Sequence, residues 1–275
     1  MSQRESEDEF KLQGVLPPED DFAREAAEYP VVPVWVELVA DSETPLSLLS
    51  KLSSEETSFL LESAEQSDLV GRYSFVGCGS RAMISSQGDT VTLTDRNGLT
   101  KSWRAADPLR ELEALMARYR CPIHPELPGF TGGAVGYLGY DAVRRFEPTV
   151  GSHPRDDLGL PDMVFLIADT VVLFDHKNRR IKVVACAFPG ELGVAESRRE
   201  AMGRISRMLV KLASPSAMDP FPVGAVAERL PMSSNFTREA FEKAVVDSKE
   251  FIKAGDIFQI VLSQRFSLPY AHDPV

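Results

Sequence analysis

MVFLIADTVVLFDHKNRRIKVVACAF, Met163 to Phe188, holds two long apolar runs, MVFLIADTVVLFD and RIKVVACAF, joined through the polar segment HKNR. The runs are rich in β-branched and aromatic residues, which fit a pleated and packed surface, and a short polar connection between two such runs is a hairpin signal. The spacing therefore predicts two paired antiparallel strands, with the first run read as one continuous strand from Met163 to Asp175. A chain with such a pair at its centre is built on sheets.

The flanking segments extend that pattern. Upstream, VVPVWVELV (Val31 to Val39) reads as a strand and the proline-started PLSLLSKL from Pro45 as a short helix. FLLES at Phe59, GRYSFVG at Gly71, RAMIS at Arg81 and TVTLT at Thr90, before the turn pair Asn97-Gly98, read as an antiparallel meander. DPLRELEALMARY opens with an Asp cap and a proline at the first helical position, and Leu109, Leu112, Met116 and Tyr119 share one face of the helix it predicts. Downstream, a helix is expected from about Glu191 to Leu212. The proline-rich and small-residue stretch 213–234 then reads as a linker.

After that linker, SNFTREAFEKAVVDSKEFIKAGD carries a full helix signature. Thr237 stands at the cap, Phe236 and Phe241 at staple positions, and Gly255 at the stop. The helix leads into DIFQIVLSQRF (Asp256 to Phe266), read as an extended segment with Phe258, Ile260 and Leu262 on one face and Gln259 on the other. A buried amide must find hydrogen-bond partners, so Gln259 is expected to be paired with backbone or turned toward a ligand. At the other end, residues 1–28 are strongly acidic and poor in apolar side chains, and read as a mobile tail. The expected organisation is thus a tail at 1–28, a domain at 29–212, a linker at 213–234, and the beginning of a second domain at 235–275.

Composition excludes several classes of function. Of 275 residues 43% are apolar and 26% charged, enough to bury a sizeable core. A net charge of −11 leaves no excess of Lys and Arg to displace counterions from a phosphate backbone, so nucleic acid is not an expected partner. Three isolated cysteines, Cys78, Cys121 and Cys186, with no signal-like start and no long apolar span, fit a cytoplasmic chain with reduced thiols that does not enter a membrane. His124, His153, His176 and His272 lack metal-ligand spacing, and no metal site is expected in the chain.

Two constellations carry chemistry. Gly132, Gly133, Gly136 and Gly139 match no phosphate-loop pattern and alternate with larger residues, so they are read as close backbone packing in a strand. In LLESAEQSDLVGRYSFVG, Glu62 and Ser63 end one strand and Arg72 begins the next, bringing a carboxylate, a hydroxyl and a guanidinium to one hairpin end. Such a set is what a free amino acid needs, though the residues alone favour a surface ion pair.

VVPVWVELVADSETPLSLLSKL, FLLESAEQSDLVGRYSFVG, FTGGAVGYLGYDAVRRFE, LPDMVFLIADTVVLFDH and AGDIFQIVLSQRF, in this order, closely resemble the large subunit of anthranilate synthase. The resemblance implies an α+β fold of antiparallel sheets with packed helices. It also implies conversion of chorismate and ammonia, supplied by a glutamine amidotransferase subunit, into anthranilate and pyruvate with Mg²⁺. In that family the LLES strand lines the site where tryptophan inhibits, so Glu62 and Ser63 are implied inhibitor contacts, with Arg72 beside them. Relatives that add water to chorismate carry a lysine base at the position of Gln259, so this glutamine implies the amine-using branch, on the side of the nucleophile. Aminodeoxychorismate synthase shares that branch. The family's chorismate and magnesium ligands would follow Val275, so the resemblance implies a truncated catalytic domain and no activity in this chain alone. A non-catalytic tryptophan-binding module is the third alternative.

Overall fold

The computed structural model describes residues 12–52, 57–63, 71–151, 156–216 and 231–270. The chain divides into two compact units, Met1–Met218 and Asp219–Val275, and the division falls within the stretch read as a linker. The first unit contains, in chain order, α1 (Glu19–Ala26), β1 (Val32–Val39), α2 (Pro45–Leu52), β2 (Ser58–Leu61), β3 (Tyr73–Cys78), β4 (Ala82–Gln87), β5 (Thr90–Asp95), β6 (Thr100–Arg104), α3 (Pro108–Met116), β7 (Gly133–Leu138), the short α4 (Val143–Phe146), β8 (Met163–Ala168), β9 (Thr170–Asp175), β10 (Arg180–Ala187), the short α5 (Pro189–Leu192) and α6 (Val194–Leu212). It is an α+β unit of two five-stranded antiparallel sheets, one in the order β1-β10-β9-β3-β2 and the other in the order β6-β5-β4-β8-β7.

The hairpin forms between β9 and β10, with Asp175 opposite Arg180 and Thr170 opposite Ala185. Its first run is not one strand, however. It breaks at Asp169, and the two halves lie in different sheets: β8 pairs with β4 and β7, whereas β9 pairs with β10 and β3. The expected meander divides in the same way, with β2 and β3 in the first sheet and β4 to β6 in the second. Strands that switch sheets do so at bends. Here one bend is held by side chains distant in sequence, since the Asp169 carboxylate receives Arg96 at 2.5 Å and Arg204 at 2.9 Å.

The first sheet is buried on both faces, so β9 is apolar at every position but its two ends, Thr170 and Asp175, and shows no alternation of exposure. Val172 and Phe174 face a core completed by Leu48, Leu52, Ile205 and Met208 of α2 and α6, while Val171 and Leu173 face Trp35 and Leu127. On the second sheet, Ile84, Val91 and Ile167 meet Leu109, Leu112, Met116 and Tyr119, the face predicted for α3. Asp107 caps that helix by accepting the Leu109 amide at 3.1 Å. Gly136 lies where β7 crosses closest to β8: an added Cβ would stand 1.9 Å from the Val164 carbonyl oxygen, which only glycine avoids.

Two expectations are corrected. The acidic tail at 1–28 is not mobile throughout, because within it α1 places Glu19, Asp20 and Asp21 in its first turn, where the helix dipole favours them, and buries Phe22 to 1% exposure. One aromatic anchor of this kind contributes about 2–3 kcal/mol. Residues 1–11 of that tail, and 64–70, 152–155, 217–230 and 271–275 of the other segments read above, lie outside the described residues.

The second correction concerns the second unit, which holds β11 (Ser233–Ser234), α7 (Arg238–Ala254) and β12 (Phe266–Ser267). In α7 the Thr237 side chain accepts the Ala240 amide at 3.2 Å, the Phe236 and Phe241 rings stand 6.0 Å apart, and Gly255 ends the helix at φ 81°. Residues 256–265 form no strand. Only Phe266 and Ser267 pair, with Ser234 and Ser233, and Phe258 is 93% exposed. An extended segment becomes a strand only where a neighbour accepts its backbone bonds, and none is supplied here among the described residues.

Candidate functional site

The pairing of β2 with β3 places Leu61 opposite Phe75, so Glu62 and Ser63 leave the strand close to where Arg72 enters the next. Glu62 is exposed and Ser63 half-buried. The three predicted side chains do meet one end of a hairpin, but Arg72 has another commitment. Its Nε and Nη2 donate to the two oxygens of Asp175 at 3.1 and 2.7 Å, a bidentate clamp between β3 and the end of β9.

Asp175 also accepts the backbone amides of Lys177 at 3.0 Å and Asn178 at 3.3 Å, and the Asn178 side-chain amide at 2.9 Å, so it organises the HKNR turn. Burial pushes its carboxyl upward, but the Arg72 guanidinium and the turn amides outweigh burial and hold it below its ordinary value of 3.8. Beside it Ser74 Oγ and His176 Nε2 are 2.8 Å apart. Arg72 thus acts first as a structural tie, and Glu62 is the exposed group of this corner.

A cleft of about 750 Å³ opens at the other end of the same strand pair, where both crossings between the sheets come together. Its walls include Cys78, Gly79 and Ser80 from the β3–β4 crossing, and Asp169 and Thr170 from the β8–β9 crossing. From α6 it takes Arg204, Arg207, Met208 and Lys211, the i, i+3, i+4, i+7 spacing of one helical stripe. Arg204 is spent on structure: only 7% exposed, it donates from Nη1 to the Asp169 carbonyl at 3.0 Å, from Nη2 to the Cys186 carbonyl at 2.5 Å, and from Nε to Glu200 at 3.0 Å. The cleft was not anticipated from sequence, although the basic stripe SRMLVK following Arg204 was visible.

Gln259 is exposed, on the irregular segment that follows α7, so neither a backbone-paired core amide nor a buried ligand contact is formed within this unit. Among the described residues no three His, Cys, Asp or Glu side chains converge as metal ligands, so these residues do not fit a Mg²⁺ site. No helix among them is long and apolar enough to cross a membrane.

An antiparallel α+β unit of this topology, with an LLES corner and a helix-capped second unit, defines a class, and comparison with known proteins agrees. Residues 56–275 match the chorismate binding enzyme family, and the chain belongs to that family. More particularly, it is similar to anthranilate synthase component 1: that of Pseudomonas aeruginosa is 36% identical over 260 residues, 93% of this chain and 52% of that protein. That of Synechocystis is 35% identical over 262 residues, 92% of this chain and 51% of that protein. The crystal structure of anthranilate synthase component I from Streptococcus pneumoniae superposes with a TM-score of 0.59 at 27% identity, over 86% of this chain and 50% of that one. The chain spans about half the length of the curated relatives it matches.

Proposed function

We propose that this chain is part of an anthranilate synthase large component, which forms anthranilate and pyruvate from chorismate and ammonia with Mg²⁺. The ammonia is supplied by a glutamine amidotransferase subunit, and tryptophan inhibits the enzyme. The observation that carries this reading is the similarity, along 93% of the chain, to proteins of that name. The chain's own residues divide the work between regulation and positioning. Glu62, exposed at its corner, offers an acceptor for the inhibitor's ammonium, and Ser63 beside it carries a hydrogen-bonding hydroxyl.

Gln259 serves on the nucleophile's side. Water is a poor nucleophile until a base removes its proton, whereas ammonia already presents a lone pair, so a neutral amide that orients it is sufficient. The described residues assemble no Mg²⁺ ligand set, and the 275-residue chain by itself is expected to make no anthranilate. The reading is tested by supplying the longer protein proposed to contain this chain to a bacterial strain lacking the anthranilate synthase large component. Growth without tryptophan supports it. No growth despite soluble, folded protein opposes it.

A further inference from the structure

α3 covers the second sheet incompletely. Leu109, Leu112, Met116 and Tyr119 close the core, whereas the adjoining stripe, Glu111, Ala114 and Leu115 with Arg118 a turn further on, borders a cavity of about 110 Å³. The spacing is i, i+3, i+4, i+7, so these four side chains stack along one side of the helix and its continuation. The sheet supplies the opposite wall. Ile84 of β4 stands opposite Leu93 of β5, and Trp103 of β6, opposite Val91, lies on the same face of the sheet as both.

The cavity exists because Ala114 is small where its neighbours in the stripe are long. Ile84 is 1% exposed, but Leu93, Trp103 and Leu115 are only half-buried, so apolar surface at the cavity is left to water. Covering it with an apolar group is favourable. A cavity of about 150 Å³ holds a group the size of benzene, so this smaller one fits a branched chain of four carbons and is too small for an indole.

Two charges of opposite sign stand on the same lining, and they do not pair. Glu111 is half-buried and Arg118 exposed, and neither makes a hydrogen bond or ion pair among the described residues. The other charged groups of α3 do not draw them away, since Arg110 pairs with Glu113 at 2.9 Å and Asp107 caps the helix. A lone anion there would face Glu111, and a lone cation Arg118. A zwitterion satisfies both: its carboxylate accepts the paired N–H groups of the guanidinium, and its ammonium donates to the glutamate. The cavity belongs to the second sheet and the Glu62 corner to the first, so the two places have different occupants.

We propose that this cavity binds a free aliphatic amino acid of the size of leucine, with its ammonium at Glu111, its carboxylate at Arg118 and its side chain against Leu93, Trp103 and Leu115. The chain has two tryptophans, Trp35 and Trp103, so nuclear magnetic resonance shows two indole N–H signals, assigned by Trp103→Phe. L-Leucine titrated into the 275-residue chain shifts the Trp103 signal saturably and leaves that of Trp35 in place. The analogues 4-methylpentanoate and 3-methylbutylamine, each lacking one of the two charges, bind about tenfold more weakly or worse. Glu111→Gln and Arg118→Gln each weaken leucine binding to a similar degree. Ala114→Leu fills the cavity and abolishes binding, while its thermal unfolding is no lower than that of the parent chain. Absence of a saturable Trp103 shift overturns the proposal, as do equal binding of either single-charge analogue, indifference to either charge substitution, or leucine binding that survives in folded Ala114→Leu.

Discussion

Replacing Asp175 by alanine removes the acceptor of five N–H bonds: two from Arg72, one from each of the Lys177 and Asn178 backbone amides, and one from the Asn178 side chain. The two sides of this arrangement are not equal. The Arg72 side chain is 34% exposed and the Asp175 side chain 8%, so water partly replaces the carboxylate around the guanidinium, and the ion pair contributes about 1 kcal/mol. The two backbone amides of the turn, of Lys177 and Asn178, add about 1 kcal/mol each. Asp175→Ala is therefore expected to cost about 3 kcal/mol and Arg72→Ala about 1 kcal/mol, with a coupling of about 1 kcal/mol in the double variant.

Both tryptophans, Trp35 and Trp103, lie in the first unit, so urea unfolding followed by their fluorescence reports that unit. The pH dependence has a definite sign. The Asp175 carboxyl titrates below its ordinary value of 3.8 in the folded chain, so its contribution is present above that value and is lost as the pH falls through the lower folded one. The Asp175→Ala penalty should shrink below about pH 4. Equal penalties for Arg72→Ala and Asp175→Ala, or a penalty that grows in acid, would refute the assignment of Asp175 as the organiser of the turn.

Three further outcomes are expected. Gly136→Ala drives a Cβ to within 1.9 Å of the Val164 carbonyl oxygen, part of the rigid ladder between β7 and β8, and should cost about 3 kcal/mol in the same urea assay; a cost under about 1 kcal/mol would mean the strands separate freely. Burial pushes the Cys186 thiol up to about 12, so in the native chain it should resist a thiol reagent at pH 8 that modifies half-buried Cys121, as mass mapping of the labelled peptides would show. If the longer protein proposed to contain this chain is the tryptophan-inhibited enzyme, Glu62→Ala or Ser63→Ala should raise the tryptophan concentration for half-inhibition more than about tenfold while uninhibited turnover stays near normal, and an unchanged inhibition curve would return both residues to an ordinary surface.

Local features were legible because their causes are local. The Asp107 and Thr237 caps, the α3 apolar face and the Gly255 stop each depend on residues within one or two turns of the chain. The glycine strand was readable for the same reason, since a missing side chain at Gly136 reports directly on how close a neighbour comes. What decides the architecture was not local. The run from Met163 to Asp175 carries apolar residues on both sides of Asp169, and the bend there depends on Arg204, 35 residues away, and Arg96, 73 residues away.

The candidate site follows the same division. Glu62 and Ser63 were found as neighbours of a strand, but the hold of Asp175 on Arg72 spans 103 residues and appears only once β3 and β9 are paired. The seam cleft exists only because two strand crossings coincide beneath one helical stripe. Phe22 was hidden by composition, because one buried aromatic anchors a helix whose other residues are mostly acidic or small. The segment 256–265 misled for the opposite reason: its residues suit a strand, and a strand needs a partner that sequence pattern does not provide.

Product analysis of the longer protein proposed to contain this chain, incubated with chorismate, ammonium and Mg²⁺ and resolved by chromatography with fluorescence detection, bears most directly on its function. Anthranilate and pyruvate in equal amounts are the expected products. Accumulation of aminodeoxychorismate or of a hydroxylated chorismate derivative in place of anthranilate would contradict the assignment.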